Sequence, residues 1–414
     1  MSLIRGVKCS NEPCEQFNPE SLMKKSLIAG AALTALAGVA HAQSSVTLYG
    51  LIDAGLTYTN SQISGTGSGG HSNWQMTSGG IQYSRWGLRG AEDLGGGLKA
   101  IFNLESGFNL INGQMASSNR IFNRLAYVGL SSHDFGTLTL GRQTDGMVDF
   151  VAPLALTGTE YGGIHFAHPF DVDNLNDSFQ INNSVKYVSP EYAGFKLGAL
   201  YGFSNQANGF ANNRAYSVGL SYIWGPLNFG AGYLHLNNSA ATPAQINTGG
   251  AVTDTTGSTL SGLLTPTPVP LGALASRQQT WGAGINYSFG PAVAGFVYTQ
   301  TNLTQLFLTG FSTHFQNYEG NFRYALTPAI ELAAAYTYSR AGGNGGSGAP
   351  HWNQVSALAD YSLSRRTDIY LQGAWQSVSA STNSPLGVAW INGVSAPSST
   401  TNQVQATVGL RHRF

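Results

Sequence analysis

The chain has 414 residues, and its 20 Lys and Arg balance its 20 Asp and Glu, so the formal net charge is zero. A nucleic-acid-binding function is disfavoured, because no basic excess is available to neutralise phosphates. Charged residues make up only 10% of the chain, against about 25% in ordinary globular proteins. With 53 glycines and 11% aromatic residues, the composition is typical of a transmembrane β-barrel, although a secreted β-sandwich or propeller could share it.

The first 42 residues have the features of an export signal. A basic start at Met23 and an Ala-, Leu- and Gly-rich stretch at 26–39 precede a small-x-small site that ends at Ala42. These features predict a Sec signal peptide at 23–42, whose apolar part is too short to span a membrane. We interpret residues 1–22 as an upstream extension from a mis-assigned start, the alternative being an unusually long basic region.

Both cysteines, Cys9 and Cys14, precede the predicted signal peptide. The predicted mature chain, 43–414, therefore has no disulfide to stabilise it. No stretch of it is apolar enough for a membrane-spanning helix. A closed barrel needs neither feature, because closure pairs every strand edge.

Connections along the mature chain alternate between two kinds. Short turns such as 92–97, 225–226 and 290–291 alternate with long polar segments, and this asymmetry is typical of outer-membrane barrels. The long segments are 61–79, 108–119, 144–179, 240–277, 342–351 and 380–401.

Sixteen strands are predicted between these connections, an even number that suits a barrel wide enough for an aqueous channel. The predicted fold class is therefore all-β, a 16-stranded antiparallel transmembrane β-barrel. The strands are predicted at 46–60, 80–91, 98–107, 122–132, 137–143, 180–190, 194–204, 214–224, 227–239, 278–289, 293–303, 317–326, 329–341, 352–363, 367–379 and 402–414.

Side chains alternate within the strands with a period of two. In the last strand Val404, Val408 and Leu410 share one parity, and Gln405 and Arg411 share the other. A Lys or Arg that faces lipid costs about 2–4 kcal/mol at mid-bilayer. We therefore expect the apolar parity to face lipid and the charged parity to face the lumen. Aromatic residues near the strand ends fit two interface girdles, although β-propensity alone also favours them in strands.

Several motifs resemble the general diffusion porins of Gram-negative bacteria, in particular the β-proteobacterial branch. They are SVTLYG at 45–50, SRWGLRGAEDLGGGLKA at 84–100, FNRLAYVGL at 122–130, LGRQ at 140–143 and VGLRHRF at 408–414. The resemblance implies an outer-membrane homotrimer whose barrels each hold a water-filled channel for small hydrophilic solutes and ions, narrowed by an inward-folded third outer loop. It also implies contacts with outer-membrane lipid, lipopolysaccharide and the barrel-assembly machinery, and no cofactor.

The loop in the third position is 144–179, a long and acidic segment. By resemblance, wall arginines face loop carboxylates across a narrow gap and so create a transverse field that selects solutes by charge. An alternative is that the arginines only pair with lumen acids to satisfy the wall. The residues assigned to this constriction are Arg85, Arg124, Arg142, Glu105, Glu160, Asp145 and Asp149, with Glu160 as the carboxylate that faces Arg85 and Arg124.

Two positions depart from the family pattern. Leu51 and Gln180 stand where some relatives carry basic residues. The basic cluster therefore has fewer members than in strongly anion-selective relatives. We expect a weakly selective channel, mildly cation-preferring because the loop is acidic.

Other functions have weaker support. His165 and His168 lack further metal ligands nearby in the sequence, so no metal site is predicted. No catalytic set is recognisable, and we expect no enzyme. A substrate-specific channel and an adhesive surface protein remain alternatives. Phe414, at the end of the last strand, is predicted to be the recognition residue for barrel assembly.

Overall fold

The structure is a computed structural model that describes residues 45–63, 69–117, 120–237, 250–251, 275–306, 312–343, 349–380 and 386–414. The predicted upstream extension 1–22 and signal peptide 23–42 lie outside the described residues. So do most of the predicted loop 240–277 and part of the predicted loop 380–401.

Seventeen β-segments occur in the described residues. Their bounds are β1 Ser45–Ile63, β2 Gly70–Ser78, β3 Arg85–Gly95, β4 Leu98–Gly107, β5 Leu125–Ser132, β6 Gly136–Gln143, β7 Ile181–Val188, β8 Phe195–Gly202, β9 Arg214–Trp224, β10 Leu227–Asn237, β11 Ala275–Phe289, β12 Ala292–Leu306, β13 Thr313–Thr327, β14 Ile330–Gly343, β15 His351–Ser362, β16 Thr367–Ser379 and β17 Asn402–Arg413.

Every segment from β3 to β17 pairs antiparallel with its neighbour in sequence, and β1 pairs with β17 to close the sheet. The register at the closure runs from Leu51 opposite Arg413 to Thr59 opposite Gln405. Because β3 to β17 pair in succession and β1 joins β17 to β3, the sheet is a closed barrel, and in the described residues β2 is paired along one edge, with β1.

The second strand of this barrel is interrupted. The C-terminal part of β1, from Ala54 to Ile63, pairs with β2, and its N-terminal part, from Ser45 to Leu51, pairs with β3. β2 and β3 therefore share one barrel position, and the predicted count of sixteen strands is confirmed. The prediction of a loop over all of 61–79 is wrong, because pairing with β1 makes the polar segment Gly70–Ser78 a strand.

The burial pattern is the reverse of that in a soluble barrel. In β17, Gln405 and Arg411 are at most 1% exposed, whereas Val408 is 56% and Leu410 49% exposed. Apolar side chains on the outside need an apolar surrounding, which confirms the predicted outward parity.

Residues 144–180, between β6 and β7, contain five short helical segments: Met147–Val151, Ala152–Leu154, Leu156–Gly158, Ile164–Phe166 and Pro169–Asp171. No helix in the described residues is long and apolar enough to cross a membrane. We name 144–180 the β6–β7 segment.

The β6–β7 segment packs on inward-parity side chains from several parts of the barrel wall. Phe170 and Trp352 form an edge-to-face pair at 5.6 Å, and Met147 and Leu154 pack in a second apolar cluster with Leu234 of β10. The inward parity is therefore partly apolar where this segment covers it, although the alternation predicts a polar lumen. Polar wall side chains such as Gln278 and Gln354 lie under the segment as well and donate to its backbone carbonyls. The difference arises because the segment shields these wall side chains from water. Burial there stabilises an apolar side chain, whereas a polar side chain needs a hydrogen-bond partner.

Candidate functional site

Two arginines and two carboxylates meet on the inward side of β3, β4 and the β6–β7 segment. Arg124 Nε lies 2.7 Å from Glu105 Oε1, and Arg124 Nη2 lies 2.6 Å from Asp177 Oδ2. Arg85 Nε lies 3.7 Å from the other oxygen of Glu105. We name Arg85, Glu105, Arg124 and Asp177 the charge quartet; its two positive and two negative side chains balance.

The strands position the quartet by register. Arg85 begins β3, and Glu105 near the end of β4 lies opposite Gly87. Arg124 directly precedes β5, where its backbone N–H donates to the carbonyl oxygen of Glu105 at 3.2 Å. Glu105 also accepts from the hydroxyl of Tyr49 on β1 at 2.8 Å. The carboxylate of Glu105 is thus fixed by three side chains from three parts of the wall.

Asp177 reaches the quartet from a left-handed backbone conformation, with φ 55°. Its Oδ1 accepts from Gln180 Nε2 at 2.8 Å, while Gln180 Oε1 accepts from Arg142 at 2.8 Å. Burial raises the pKa of Asp177 above its ordinary value, and Arg124 acts in the opposite direction. For Arg124, burial would lower the pKa, but Asp177 and Glu105 outweigh it and raise the pKa.

A cavity of about 210 Å³ lies beside the quartet. Arg85, Arg124 and Asp177 line one part of it, and Thr157 and Thr159 of the β6–β7 segment line another. Polar groups of both charges therefore face one small space.

The interruption of the second strand supplies another wall of this cavity. Residues 79–84 turn inward around Asp53 of β1, whose Oδ2 accepts from the backbone N–H groups of Ile81 and Gln82, both at 2.9 Å. Tyr83 then lines the cavity, its ring 5.8 Å from the Arg124 guanidinium. Its hydroxyl accepts from Asn176 Nδ2 at 2.9 Å.

Of the seven residues predicted for the constriction, the structure brings together Arg85, Arg124 and Glu105. The carboxylate of the β6–β7 segment that contacts Arg124 is Asp177, in place of the expected Glu160. Glu160 pairs with Arg413 of β17 at 3.1 Å. Because the segment is a succession of short helical turns, the sequence alone could not predict in which direction each acidic side chain points.

Two more of the predicted residues, Arg142 and Asp149, hold the β6–β7 segment to the wall. Arg142 donates to Asn182 Oδ1 at 2.6 Å as well as to Gln180. Asp149 pairs with Lys186 of β7. These contacts fix the two ends of the segment.

Asp145 is fully buried within the segment. Its Oδ1 accepts from the backbone N–H of Met147 and its Oδ2 from Asn174, each at 2.7 Å. Burial raises its pKa to about 7, although both hydrogen bonds lower it.

A buried group that sequence reasoning missed connects the segment to β13. His168 Nδ1 lies 2.6 Å from Asp173 Oδ2, and Nε2 lies 3.0 Å from Glu319 Oε2. Burial alone would lower the pKa of His168, but the two carboxylates outweigh it and raise the pKa to about 10. The sequence feature that could have predicted this contact is Glu319, an acidic residue on the inward parity of a strand.

The profile of the family described as Gram-negative porin matches residues 29–381. The chain belongs to the Gram-negative porin family. Together with the barrel and its apolar outer surface, this membership places the protein in the outer membrane.

Two curated relatives are outer membrane porins. One, from Bordetella pertussis, is 39% identical over 256 residues, which cover 55% of this chain and 66% of the relative. Outer membrane porin protein 32 of Delftia acidovorans is 37% identical over 218 residues, which cover 51% of this chain and 59% of the relative. This porin chain therefore spans less than two thirds of the length of the curated relatives it matches.

Solved porin structures share the fold. The anion-selective porin from Comamonas acidovorans superposes with a TM-score of 0.67 at 25% identity, covering 90% of this chain and 100% of that one. The outer membrane protein OmpT of Vibrio cholerae superposes with a TM-score of 0.62 at 17% identity, covering 90% of this chain and 99% of that one. The second match supports the fold alone.

Proposed function

We propose that this porin forms a water-filled channel for the passive diffusion of small hydrophilic solutes and ions across the outer membrane. The observation that supports it is the balanced charge quartet beside a polar cavity, inside a closed barrel with an apolar outer surface. No chemical step is required of these residues, only a local field in a narrow aqueous space.

The β6–β7 segment and the turn at 79–84 are proposed to narrow this channel. The segment contacts Arg124 on one side of the barrel and Glu319 of β13 on another. The proposed assembly is a homotrimer in which each barrel has its own channel, as the family resemblance implies.

We propose weak ion selectivity. The Comamonas relative is named as anion-selective, but here Glu105 and Asp177 balance Arg85 and Arg124. The two expected departures support this: Leu51 is an apolar side chain, 4% exposed, and Gln180 is neutral.

The test is a planar-bilayer recording on the purified protein, with the reversal potential measured across a KCl gradient. Ohmic single-channel steps with a reversal potential near zero support the proposal. Strong anion preference refutes the weak selectivity, and an absence of conductance refutes the channel.

A substrate-specific channel is the second candidate function, because a cavity with fixed charges of both signs could bind one solute class. Liposome swelling with a size series of neutral sugars distinguishes the two. A smooth decline with size supports general diffusion, and a saturable preference supports the alternative.

A further inference from the structure

The barrel wall behind the first part of the β6–β7 segment carries glycines on its inward parity. Register aligns four of them at one level, one on each strand from β8 to β11. These four are Gly198, Gly219, Gly232 and Gly282. Gly230 of β10 and Gly284 of β11 form a further pair, two residues along their strands. We name these six residues the glycine row.

Space explains these glycines better than backbone conformation does. None of the six, all of them described residues, has a positive φ, so the strand backbone would accept another residue type. Glycine inside a strand often marks a place where another part of the chain approaches closely. A Cβ added at Gly219 would lie 2.3 Å from Phe150 Cδ2, and one added at Gly198 would lie 2.6 Å from Phe150 Cε2. The ring of Phe150 therefore occupies the space that side chains would fill.

The backbone of the segment is also close to the wall here. A Cβ added at Gly230 would lie 2.0 Å from the carbonyl oxygen of Phe150, and one added at Gly232 would lie 3.0 Å from Met147 Sδ. The N–H of Gly146 donates to Ser217 Oγ of β9 at 2.8 Å. The turn Met147–Val151 therefore lies directly on the strands, without a layer of wall side chains between them.

This turn has a wall face and a cavity face. Met147, Phe150 and Val151 are buried, and Met147 and Val151 pack with Leu234 of the wall. Val148 lines the cavity beside the charge quartet. A displacement of the wall face away from the strands would therefore move Val148 into the cavity.

The later part of the segment meets a wall of different character. Phe170 packs on Phe315 of β13 at 6.1 Å and on Trp352 of β15 at 5.6 Å between ring centres. Large aromatic rings therefore separate the segment from the wall backbone at β13 to β15, whereas glycines let it approach at β8 to β11. The volume of the wall side chains varies along the path of the segment.

We infer that the glycine row determines how far the turn Met147–Val151 projects into the barrel, and thereby the size limit of the channel. The inference rests on the proposed function, because a size limit requires an open channel. The six glycines act as positioning residues, since they lie outside the described lining of the cavity. Protein interiors are close-packed, so an added methyl group must displace what it meets. The strands resist displacement because each of them is paired on both edges, so the turn moves.

The experiment compares wild-type protein, G219A and G320A by single-channel recording and by liposome swelling with a size series of sugars. Carbon atoms in contact lie about 3.5–4.0 Å apart, so the methyl group of G219A should displace the Phe150 ring by ~1.5 Å. A movement of about one water radius should lower the conductance roughly 1.5-fold and lower the size limit for sugars. G320A is the matched control, because an added Cβ at Gly320 of β13 meets no atom within 4 Å.

A double-mutant cycle with F150A distinguishes positioning from a general loss of structure. F150A removes the ring that the methyl group of G219A would contact. G219A should therefore lower the conductance when Phe150 is present and leave it unchanged in the F150A background. If G219A fails to assemble, G198A takes its place in the cycle, because its added methyl group would contact the same ring.

The inference is overturned if wild-type protein and G219A conduct equally, if G320A lowers the conductance as much as G219A, or if the decrease persists in the F150A background. An absence of conductance in the wild-type protein refutes the proposed function instead. The crystal structure of G219A then tests the inference by itself. The turn Met147–Val151 should lie ~1 Å or more further from β9 than in the wild-type protein, and an unchanged position overturns the inference.

Discussion

Neutralising Asp177 tests the proposal that the charge quartet influences ion selectivity. The substitution D177N keeps the size of the side chain and the acceptor for Gln180, and Asn tolerates the left-handed backbone at this position. It changes the quartet from balanced to a single net positive charge. Arg124 keeps its 2.7 Å contact with Glu105, so the wall arginine stays in place.

The expected magnitude follows from Coulomb's law in water. For an ion that passes about 5 Å from the missing charge in ~0.1 M salt, the energy changes by roughly 0.5 kcal/mol, with opposite signs for cations and anions. The relative permeability of chloride over potassium should therefore rise about fivefold. The reversal potential across a KCl gradient measures this ratio directly.

Acidification should imitate the substitution. Because burial raises the pKa of Asp177, this carboxyl protonates at a higher pH than an ordinary Asp as pH falls. The ion selectivity of the wild-type channel should then shift toward anions on acidification, and D177N should lack this change. The control is D134N, in an exposed turn between β5 and β6. The reasoning would be refuted if D177N and D134N changed the reversal potential equally relative to the wild-type channel at neutral pH, or if D177N left it unchanged.

Four further predictions concern the β6–β7 segment and the turn at 79–84. Y83A should raise single-channel conductance and the size limit for sugars, because the ring leaves the cavity wall, whereas Y83F should change neither by much; equal conductance in all three proteins would exclude Tyr83 from the path. E319Q should destabilise the β6–β7 segment by about 3 kcal/mol, as expected for breaking a buried ion pair, which calorimetry would detect as a lower unfolding temperature. Because the folded pKa of His168 is raised to about 10, its contribution to stability should be complete below about pH 6.5 and lost as pH rises through about 10, and a wild-type pH profile without this loss would contradict it. G163A should lower the unfolding temperature, because Gly163 has φ 75° and an added Cβ would lie 2.1 Å from the Ile81 carbonyl oxygen; an unchanged temperature would show that the backbone relaxes.

The barrel could be predicted from the sequence alone. Alternation with a period of two, short and long connections in turn, and an even strand count do not depend on distant contacts, so they could be recognised directly. The same holds for the inward parity of Arg85 and Glu105, because parity follows from position within a strand.

The details of the site depend on contacts between parts of the chain that are distant in sequence. Gly70–Ser78 is a strand only because β1 offers it a partner, and residues 79–84 turn inward because the carboxylate of Asp53 accepts their N–H groups. The choice of Asp177 over Glu160 as the partner of Arg124 depends on left-handed and helical turns within the β6–β7 segment. Such turns depend on burial against strands that are distant in sequence, and the local sequence pattern contains no information about these contacts.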